Sequence, residues 1–255
     1  MSTERSRLPS LLAAAEPPYL GGWCHIPGGF SAEIAAAAGF DWCCVDRQHG
    51  MLGEAEMIEM VRALTLTGTP TLVRVSGCER AEIGRALDAG ADGVIVPVIG
   101  SAAEARAAAE ACAFPPDGSR SWATTRSKLY QDIPDPEVSN RSITCLPMVE
   151  TAGALREVEE IAMLPGVDAL FAGPADLRIE LGLSEAELEE ACRSVVGACA
   201  AAEKPAGVFA GGADRVGYWL DLGFEVVAIQ SDSALLLGAA REAVASGRAA
   251  AGEAR

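Results

Sequence analysis

Two carboxylates, Glu150 and Asp176, come shortly after apolar runs of the sequence. Glu150 follows Leu-Pro-Met-Val, and Asp176 follows Ala-Leu-Phe-Ala-Gly-Pro-Ala. If both runs are parallel strands of one sheet, the acids converge at its carboxyl edge, where a hard divalent cation could bind their oxygens. An acid after a strand is commonly only a solvated helix start. The Gly173-Pro174 turn favours a site, because the helix that it begins has free amides for a substrate carboxylate.

The two histidines are further candidates for chemistry. His49 follows Asp46 by three residues, after a predicted strand. Asp46 could orient the imidazole by a hydrogen bond and tune it as a base near neutral pH. The alternative is a loop histidine that only satisfies backbone carbonyls, and the shared face with the two acids favours the base. His25 is predicted on the same face, but no nearby residue offers it a partner, so it receives no role.

Arg74 interrupts an apolar run, Thr-Leu-Val-Arg-Val, that reads as a buried strand. An unpaired cation is costly inside a protein, so Arg74 needs a partner. At the mouth of a barrel its planar fork could hold a carboxylate or a developing enolate oxygen. The alternative is an internal salt bridge to an acid at a neighbouring strand end.

Short apolar runs alternate along the chain with longer, alanine-rich segments of helical character, which predicts a single-domain (β/α)8 TIM barrel. The alternative, an open doubly wound sheet, is disfavoured by the number of units and by the lack of a glycine-rich dinucleotide loop. The predicted strands are Tyr19–Cys24, Trp42–Asp46, Thr71–Val75, Gly93–Pro97, Thr144–Glu150, Ala169–Ala172, Ala206–Phe209 and Val226–Gln230. The predicted helices are Ser31–Ala38, Glu54–Thr67, Arg80–Ala89, Ala102–Ala113, Ala152–Met163, Ser184–Glu203, Asp214–Leu222 and Ser233–Ser246.

The domain organisation is predicted as an N-terminal extension over 1–18, the barrel over 19–246 and a flexible tail over 247–255. The segment Phe114–Arg141 has no clear period and follows the fourth strand on the face where barrels place substrate loops. It is the segment that we expect to select the substrate. With oxygen ligands and no Cys/His cluster in the sequence, Mg2+ or Mn2+ fits better than structural zinc, and Co2+ is an alternative.

The net charge and the composition of the chain argue against some classes of function. The 255-residue chain has a net charge of −16, which argues against binding nucleic acid or an anionic membrane through a basic face. The eight cysteines include no CxxC pair and mostly lie in apolar runs, which predicts reduced thiols. No secretory leader and no apolar stretch of membrane-spanning length is present in the sequence, so we expect a cytoplasmic protein.

Several phrases together resemble the HpcH/HpaI aldolase family, the class II, metal-dependent pyruvate aldolases of the phosphoenolpyruvate/pyruvate superfamily. They cover roughly residues 20 to 240 and occur in the family's order. The matching phrases are Gly39-Phe40-Asp41-Trp42, Asp46-x-x-His49-Gly50, Val73-Arg74-Val75, Leu87-Asp88-Ala89-Gly90-Ala91, Pro115-Pro116-x-Gly118-x-Arg120, Met148-Val149-Glu150-Thr151 and Gly166-Val167-Asp168-Ala169-Leu170-Phe171-x-Gly173-Pro174-x-Asp176-Leu177.

The resemblance implies a site of defined roles on a modified barrel. Glu150 and Asp176 would hold the divalent metal, which pyruvate chelates. Arg74 would stabilise the enolate, and His49 with Asp46 would handle the proton through a metal-bound water. The resemblance also implies a homo-oligomer, a trimer or hexamer, with a C-terminal helix exchanged between neighbours.

Further positions carry the rest of the implied site. The stretch Gly173-Pro174-Ala175-Asp176 would bind the pyruvate carboxylate through its amides, with Trp23 lining the pocket. Asp88 corresponds to an acid that reaches the neighbouring subunit's active site. Many aldolases of the family have Glu where Gln48 stands and Gln where Met148 stands, so Met148 removes a polar contact near the metal.

The expected reaction is retro-aldol cleavage of a 4-hydroxy-2-oxo acid to pyruvate and an aldehyde, in a setting such as aromatic compound catabolism. A divalent cation and an arginine offset the enolate charge, and no Schiff-base lysine is needed. Neither Lys128 nor Lys204 lies at a predicted strand end. One alternative is a citrate-lyase-beta-like enzyme acting on a β-hydroxyacyl-CoA, which would need a basic groove for the CoA phosphates. Another is a barrel that binds oxo acids without turning them over.

Overall fold

A computed structural model describes residues 17–123, 126 and 135–252. Eight parallel strands pair in sequence order and close into a barrel, which confirms the predicted (β/α)8 fold. Every strand end lies within one residue of its predicted position. The strands are β1 (Tyr19–Cys24), β2 (Trp42–Asp46), β3 (Thr71–Arg74), β4 (Gly93–Val96), β5 (Thr144–Val149), β6 (Leu170–Ala172), β7 (Ala206–Phe209) and β8 (Val226–Ser231).

The helices surround the barrel, and a 3-10 turn at Ala213–Arg215 precedes the tenth. They are α1 (Gly29–Ala37), α2 (Glu54–Thr67), α3 (Arg80–Asp88), α4 (Ala102–Cys112), α5 (Pro136–Arg141), α6 (Ala152–Arg156), α7 (Val158–Met163), α8 (Pro174–Leu181), α9 (Glu185–Ala201), α10 (Val216–Leu222) and α11 (Asp232–Ala250).

Apart from shifts of one or two residues at other helix ends, the helices depart from the predictions in three places. The single helix predicted over Ala152–Met163 is divided into α6 and α7 at Glu157. Helix α11 continues to Ala250, past the predicted start of the tail. The segment Phe114–Arg141 contains the short helix α5, whose first turn is capped by the Asp135 side chain. Most of the predicted N-terminal extension and the middle of this loop lie outside the described residues.

Large aromatic side chains fill the inside of the barrel because glycines on neighbouring strands leave room for them. Trp42 and Phe171 are fully buried there. A Cβ on Gly21 would lie 2.3 Å from the Trp42 ring, and a Cβ on Gly207 would lie 2.6 Å from the Phe171 ring. The opposite faces of the strands pack against the helices in a second apolar cluster. Burial on both faces explains why the strands are continuous apolar runs.

The eight cysteines are all free thiols, and only Cys78 is exposed. Burial raises the pKa of Cys199 to about 11, which keeps this thiol protonated and unreactive at neutral pH. Within the part of the chain that the structure describes, no helix has the length and apolar character needed to cross a membrane.

Candidate active site

The carboxyl ends of the strands surround a cavity of about 570 Å³. Asp46 and Arg74 end β2 and β3, Glu150 directly follows β5, and Asp176 lies in the first turn of α8 after β6. This is the face on which barrels place active sites. The cavity is lined by Trp23, His25, His49, Arg74, Met148, Phe171, Gly173, Pro174, Ala175, Asp176, Arg178, Ile179, Glu185, Leu188, Phe209, Ala210, Gly211, Arg215 and Trp219.

Asp46 and Arg74 form a bidentate ion pair, of which Arg74 lines the cavity. Arg74 donates from Nε to Asp46 Oδ1 at 2.9 Å and from Nη2 to Oδ2 at 2.5 Å. Trp23 Nε1 also donates to Oδ2, at 3.0 Å, and the Arg74 guanidinium carbon lies 5.0 Å from the centre of the Trp23 ring. The internal salt bridge considered for Arg74 is therefore present. It fixes the guanidinium at the cavity wall, where it also remains available to a ligand.

The ionisation of this pair follows from its contacts. Burial alone would raise the pKa of Asp46, but the contacts with His25, Arg74 and Trp23 outweigh it and hold the pKa well below its usual value. Burial would lower the pKa of Arg74, and Asp46 reverses this so that the pKa is raised. Both groups therefore stay charged at neutral pH, as a buried ion pair.

The histidine beside Asp46 is His25, and the predicted contact between Asp46 and the His49 ring is not found among the described residues. Asp46 Oδ1 instead accepts from the backbone amides of Gln48 at 3.0 Å and His49 at 3.3 Å. Oδ1 thus stabilises the tight turn after β2, in addition to its hydrogen bond from Arg74. This turn also needs Gly50, since a Cβ there would lie 2.2 Å from the Asp46 carbonyl oxygen. The His49 side chain lines the cavity without a hydrogen bond to the Asp46 carboxylate.

His25 has the partner that the sequence did not reveal. Its Nε2 lies 2.8 Å from Asp46 Oδ2, and its Nδ1 lies 3.4 Å from Ser233 Oγ. The backbone amide of His25 donates to the Asp232 carboxylate at 2.8 Å, at the start of α11. Local spacing could not reveal these contacts, because the partners lie 21 and more than 200 residues away in the sequence.

Glu150 is 4% exposed and turns towards the loop after β4. Its Oε1 accepts from the Val98 amide at 2.6 Å, while its Oε2 has no hydrogen bond to a described residue. Val98 has a φ of 55°, a strained value for a β-branched residue, and this conformation aims its amide at the carboxylate. Burial raises the pKa of Glu150, the Val98 amide opposes the shift, and the charge of Asp176 adds to it.

The two acids fit a divalent cation site. Neither Glu150 nor Asp176 is within 4 Å of a Lys or Arg nitrogen in the described part of the chain. The nearby negative charge on Asp176 raises the pKa of Glu150, which a cation would reverse. No cluster of three or more His, Cys, Asp or Glu side chains suited to a metal occurs in the described ranges. Two carboxylates are a typical protein contribution to Mg2+, which keeps its remaining positions for water and substrate oxygens.

The amides at the start of α8 face the cavity beside Asp176. Gly173 is the residue before the helix and has no side chain to cap these amides, and Pro174 occupies the first helical position. The residues of this stretch, Gly173 to Asp176, all line the cavity. A helix start with uncapped amides favours an anion such as a carboxylate.

Gly173 is required by the position of Glu150. A Cβ at Gly173 would lie 2.6 Å from Glu150 Cβ and 2.7 Å from Glu150 Oε2. Gly173→Ala should therefore displace the carboxylate and weaken Mn2+ binding by about 10- to 100-fold, the usual effect of disturbing a ligand's support. Isothermal titration with Mn2+ measures this. Gly197→Ala, at an exposed glycine of α9 where an added Cβ meets nothing within 4 Å, controls for general effects. Equal Mn2+ affinity in wild type and Gly173→Ala would contradict the role of Gly173.

Asp88 lies away from the cavity of its own chain. It ends α3, and helices of a parallel barrel run opposite to the strands, so Asp88 is at the other end of the barrel from Glu150. Its Oδ1 accepts from Arg120 Nη2 at 2.8 Å. Arg120 is 4% exposed and packs with its guanidinium carbon 4.5 Å from the centre of the Phe114 ring. Asp88 therefore does not reach the cavity of its own chain.

Known proteins share the sequence and the fold of this chain. The model of the HpcH/HpaI aldolase/citrate lyase family matches residues 26–239. A 2-dehydro-3,6-dideoxy-6-sulfogluconate aldolase of Pseudomonas putida is 34% identical, over 88% of this chain and 90% of the relative. A hydroxypyruvate/pyruvate aldolase of Rhizorhabdus wittichii is 34% identical over 91% and 95%. The crystal structure of an HpcH/HpaI aldolase/citrate lyase family protein from Burkholderia cenocepacia superimposes with a TM-score of 0.88 at 32% identity, covering 94% of this chain and 98% of that one. The chain belongs to the HpcH/HpaI aldolase/citrate lyase family.

Proposed function

We propose that this protein is a divalent-metal-dependent aldolase that cleaves a 4-hydroxy-2-oxo acid to pyruvate and an aldehyde. The predicted carbon–carbon lyase class is confirmed by aldolase relatives that match most of the chain. The observation that carries the metal-dependent mechanism is the closeness of Glu150 to Asp176, two acids that no Lys or Arg nitrogen of the described residues approaches within 4 Å, beside a cavity that Asp176 and Arg74 line.

Different residues of the chain bind the substrate, stabilise the developing charge and accept the proton. The free amides at the start of α8 bind the carboxylate of the 2-oxo acid. Arg74, held rigid by Asp46, offsets the negative charge that develops on the 2-oxo oxygen as the carbon–carbon bond breaks. His49 lines the same cavity and is the side chain that we assign to receive the proton of the C4 hydroxyl.

Mg2+ or Mn2+ held by Glu150 and Asp176 would supply Lewis-acid stabilisation of the same charge. Support for these ions, rather than zinc, comes from a donor set made of carboxylate oxygens only. A reducing cytoplasm suits the eight free thiols.

The experiment that tests this function follows pyruvate release from a panel of 4-hydroxy-2-oxo acids of different length. The protein is first treated with EDTA and then given Mg2+ or Mn2+. We expect release with added metal and a loss of at least about 100-fold without it. Turnover that is unaffected by EDTA, or no pyruvate from any acid of the panel, would contradict the proposal.

We further propose that the active form is a homo-oligomer in which α11 packs against a second copy of the chain. No residue of this 19-residue helix is buried, although it carries three consecutive leucines. Leu235, Leu236 and Leu237 are 46%, 62% and 50% exposed. Such an apolar helix face is typical of an interface. Helix α1 exposes a matching apolar pair, Phe30 and Ile34, which a partner's α11 could cover.

The first residue of α11 contacts the loop that carries His25, so packing of α11 against a partner could affect the site. Asp232, the first residue of α11, accepts from the amides of His25 and Ile26. A partner that orders α11 would therefore also steady the loop that carries His25. The position of Asp88 at the far end of the barrel supports the same conclusion, because only a neighbouring chain could use it for catalysis.

Leu236→Asp should dissociate the oligomer, since it places a charge in the centre of the proposed interface. Sedimentation velocity should show the wild type as a trimer or hexamer and the variant as a smaller species. Met163→Asp is the matched control, because Met163 is an exposed apolar residue of α7, 66% exposed. A monomeric wild type, or a variant that sediments like the wild type, would contradict the proposed interface.

A further inference from the structure

The His25 ring lies between the ion pair of Asp46 and Arg74 and the start of α11. Its Nε2 is 2.8 Å from Asp46 Oδ2, and its Nδ1 is 3.4 Å from Ser233 Oγ. Asp46 is ionised and can only accept a proton contact, so the ring nitrogen beside it carries the proton. Nδ1 is then the acceptor of the neutral ring, and the Ser233 hydroxyl donates to it. These contacts favour one tautomer and one orientation of the imidazole.

The start of α11 also holds the backbone of the loop after β1. Asp232 Oδ1 accepts from the His25 amide at 2.8 Å, and Oδ2 accepts from the Ile26 amide at 3.1 Å. Ser233 Oγ is 3.2 Å from the hydroxyl of Ser231, which caps the first turn of α11. The loop is thus attached to α11 through its backbone and through the imidazole, which restricts the ring to its place.

Asp46 Oδ2 is the atom through which His25 can act on the site. This oxygen accepts from Arg74 Nη2 at 2.5 Å and from Trp23 Nε1 at 3.0 Å, and His25 makes the third contact. Three donors on one oxygen resist rotation of the carboxylate. The bidentate fork of Arg74 stays aligned only while the carboxylate does, so the direction of the guanidinium at the cavity depends on His25.

His25 lines the cavity, but its contacts do not suit proton transfer to a substrate. Both ring nitrogens lie against protein oxygens, one of Asp46 and one of Ser233. A general acid or base needs a nitrogen within hydrogen-bond reach of the proton that it transfers. The contacts therefore favour a role in which His25 acts through Asp46, and proton transfer stays with His49.

We propose that His25 is a positioning residue, which aligns Arg74 with the developing enolate by holding Asp46 Oδ2. This inference rests on the proposed function, since it concerns the same site and reaction. The negative charge that Arg74 meets is small in the bound 2-oxo acid and large in the transition state. Loss of His25 should consequently lower kcat more than it raises KM.

Two amide substitutions of His25 separate positioning from proton transfer. The side-chain nitrogen of Gln can occupy the place of the imidazole Nε2, and the shorter Asn cannot reach it. His25→Gln should keep kcat for pyruvate release within about threefold of wild type. His25→Asn should lower kcat by about 10- to 100-fold and change KM by less than about threefold. A residue that transfers a proton would lose its role equally in both variants, because neither amide titrates.

A second background tests whether the effect passes through Arg74. Arg74→Lys keeps the positive charge without the fork, so His25→Asn should lower kcat by less than about twofold in that background. Ser233→Ala should lower kcat by about two- to fivefold in wild type and have no further effect in His25→Asn. Ser194→Ala, at an exposed serine of α9, is the matched control and should keep the wild-type kcat.

Oxalate binding supplies a readout without turnover. Oxalate is a planar dianion that resembles the enolate of pyruvate, and calorimetry with Mn2+-loaded protein measures its Kd. His25→Asn should weaken oxalate binding by about tenfold and pyruvate binding by less than about threefold.

The inference on His25 and the proposed function can fail separately. Wild-type kcat or oxalate affinity in His25→Asn, equal losses in the Asn and Gln variants, or an undiminished effect in Arg74→Lys would overturn the inference while pyruvate release upheld the proposed function. A wild type that releases no pyruvate, together with the expected loss of oxalate affinity in His25→Asn, would overturn the proposed reaction and uphold the role of His25.

Discussion

Glu150→Gln is expected to lower metal-dependent pyruvate release by about 1,000-fold or more, because the cation that Glu150 is proposed to hold would offset the negative charge of the enolate. The substitution keeps the size of the side chain and an oxygen for the Val98 amide, so the fold should be retained. It removes the negative charge that would hold the cation. Initial rates with saturating Mn2+ measure the effect, and circular dichroism verifies the fold.

The matched control is Glu189→Gln, which makes the same chemical change on the outer face of α9. Glu189 pairs with Arg193 and does not line the cavity. Loss of the Glu189 charge should change the rate by less than about twofold, because exposed ion pairs contribute little to stability. A Glu150→Gln variant with the wild-type rate would remove Glu150 from the metal site.

Arg74→Met is expected to have the second largest effect, on stability as well as on activity. It leaves Asp46 fully buried without its bidentate partner. Breaking a buried ion pair from one side costs about 3–5 kcal/mol of unfolding free energy. Urea denaturation of wild type and variant measures this cost, and the rate should fall as well, since Arg74 faces the developing charge.

A double-mutant cycle with Asp46→Asn separates the two roles of Arg74. Removing both charges should recover part of the lost stability, because no unpaired charge stays buried, but it should not recover the activity.

The pair should contribute stability above the ordinary pKa of an aspartate and lose it only at lower pH, because the pKa of Asp46 in the folded chain is depressed. Unchanged stability of Arg74→Met at neutral pH would contradict this account of the pair.

The sequence predicted the barrel closely because a parallel strand buried on both faces leaves a continuous apolar run. Strands β1 and β2 have the predicted bounds, and the other strand ends differ by at most one residue. Glu150, Asp176 and Arg74 were placed on one face for the same reason, since each lies at or just after the end of a strand. Where the position of a residue followed from strand order, the sequence pattern was sufficient to predict that position.

The sequence pattern could not predict which side chains from different strand ends contact each other. The spacing of Asp46 and His49 suggested a hydrogen bond to the imidazole, but the turn uses Asp46 to bind backbone amides. The imidazole that does meet Asp46 belongs to His25, on a different strand end.

The most direct test of the central claim is the number of Mn2+ ions bound per chain. It is obtained by titrating the protein with Mn2+ and measuring the free ion by electron paramagnetic resonance. The account predicts one tight site per chain in wild type, and its loss in both Glu150→Gln and Asp176→Asn. It also predicts that pyruvate changes the signal of the bound ion. One tight site that survives both substitutions would contradict the claim that this pair of carboxylates holds the metal.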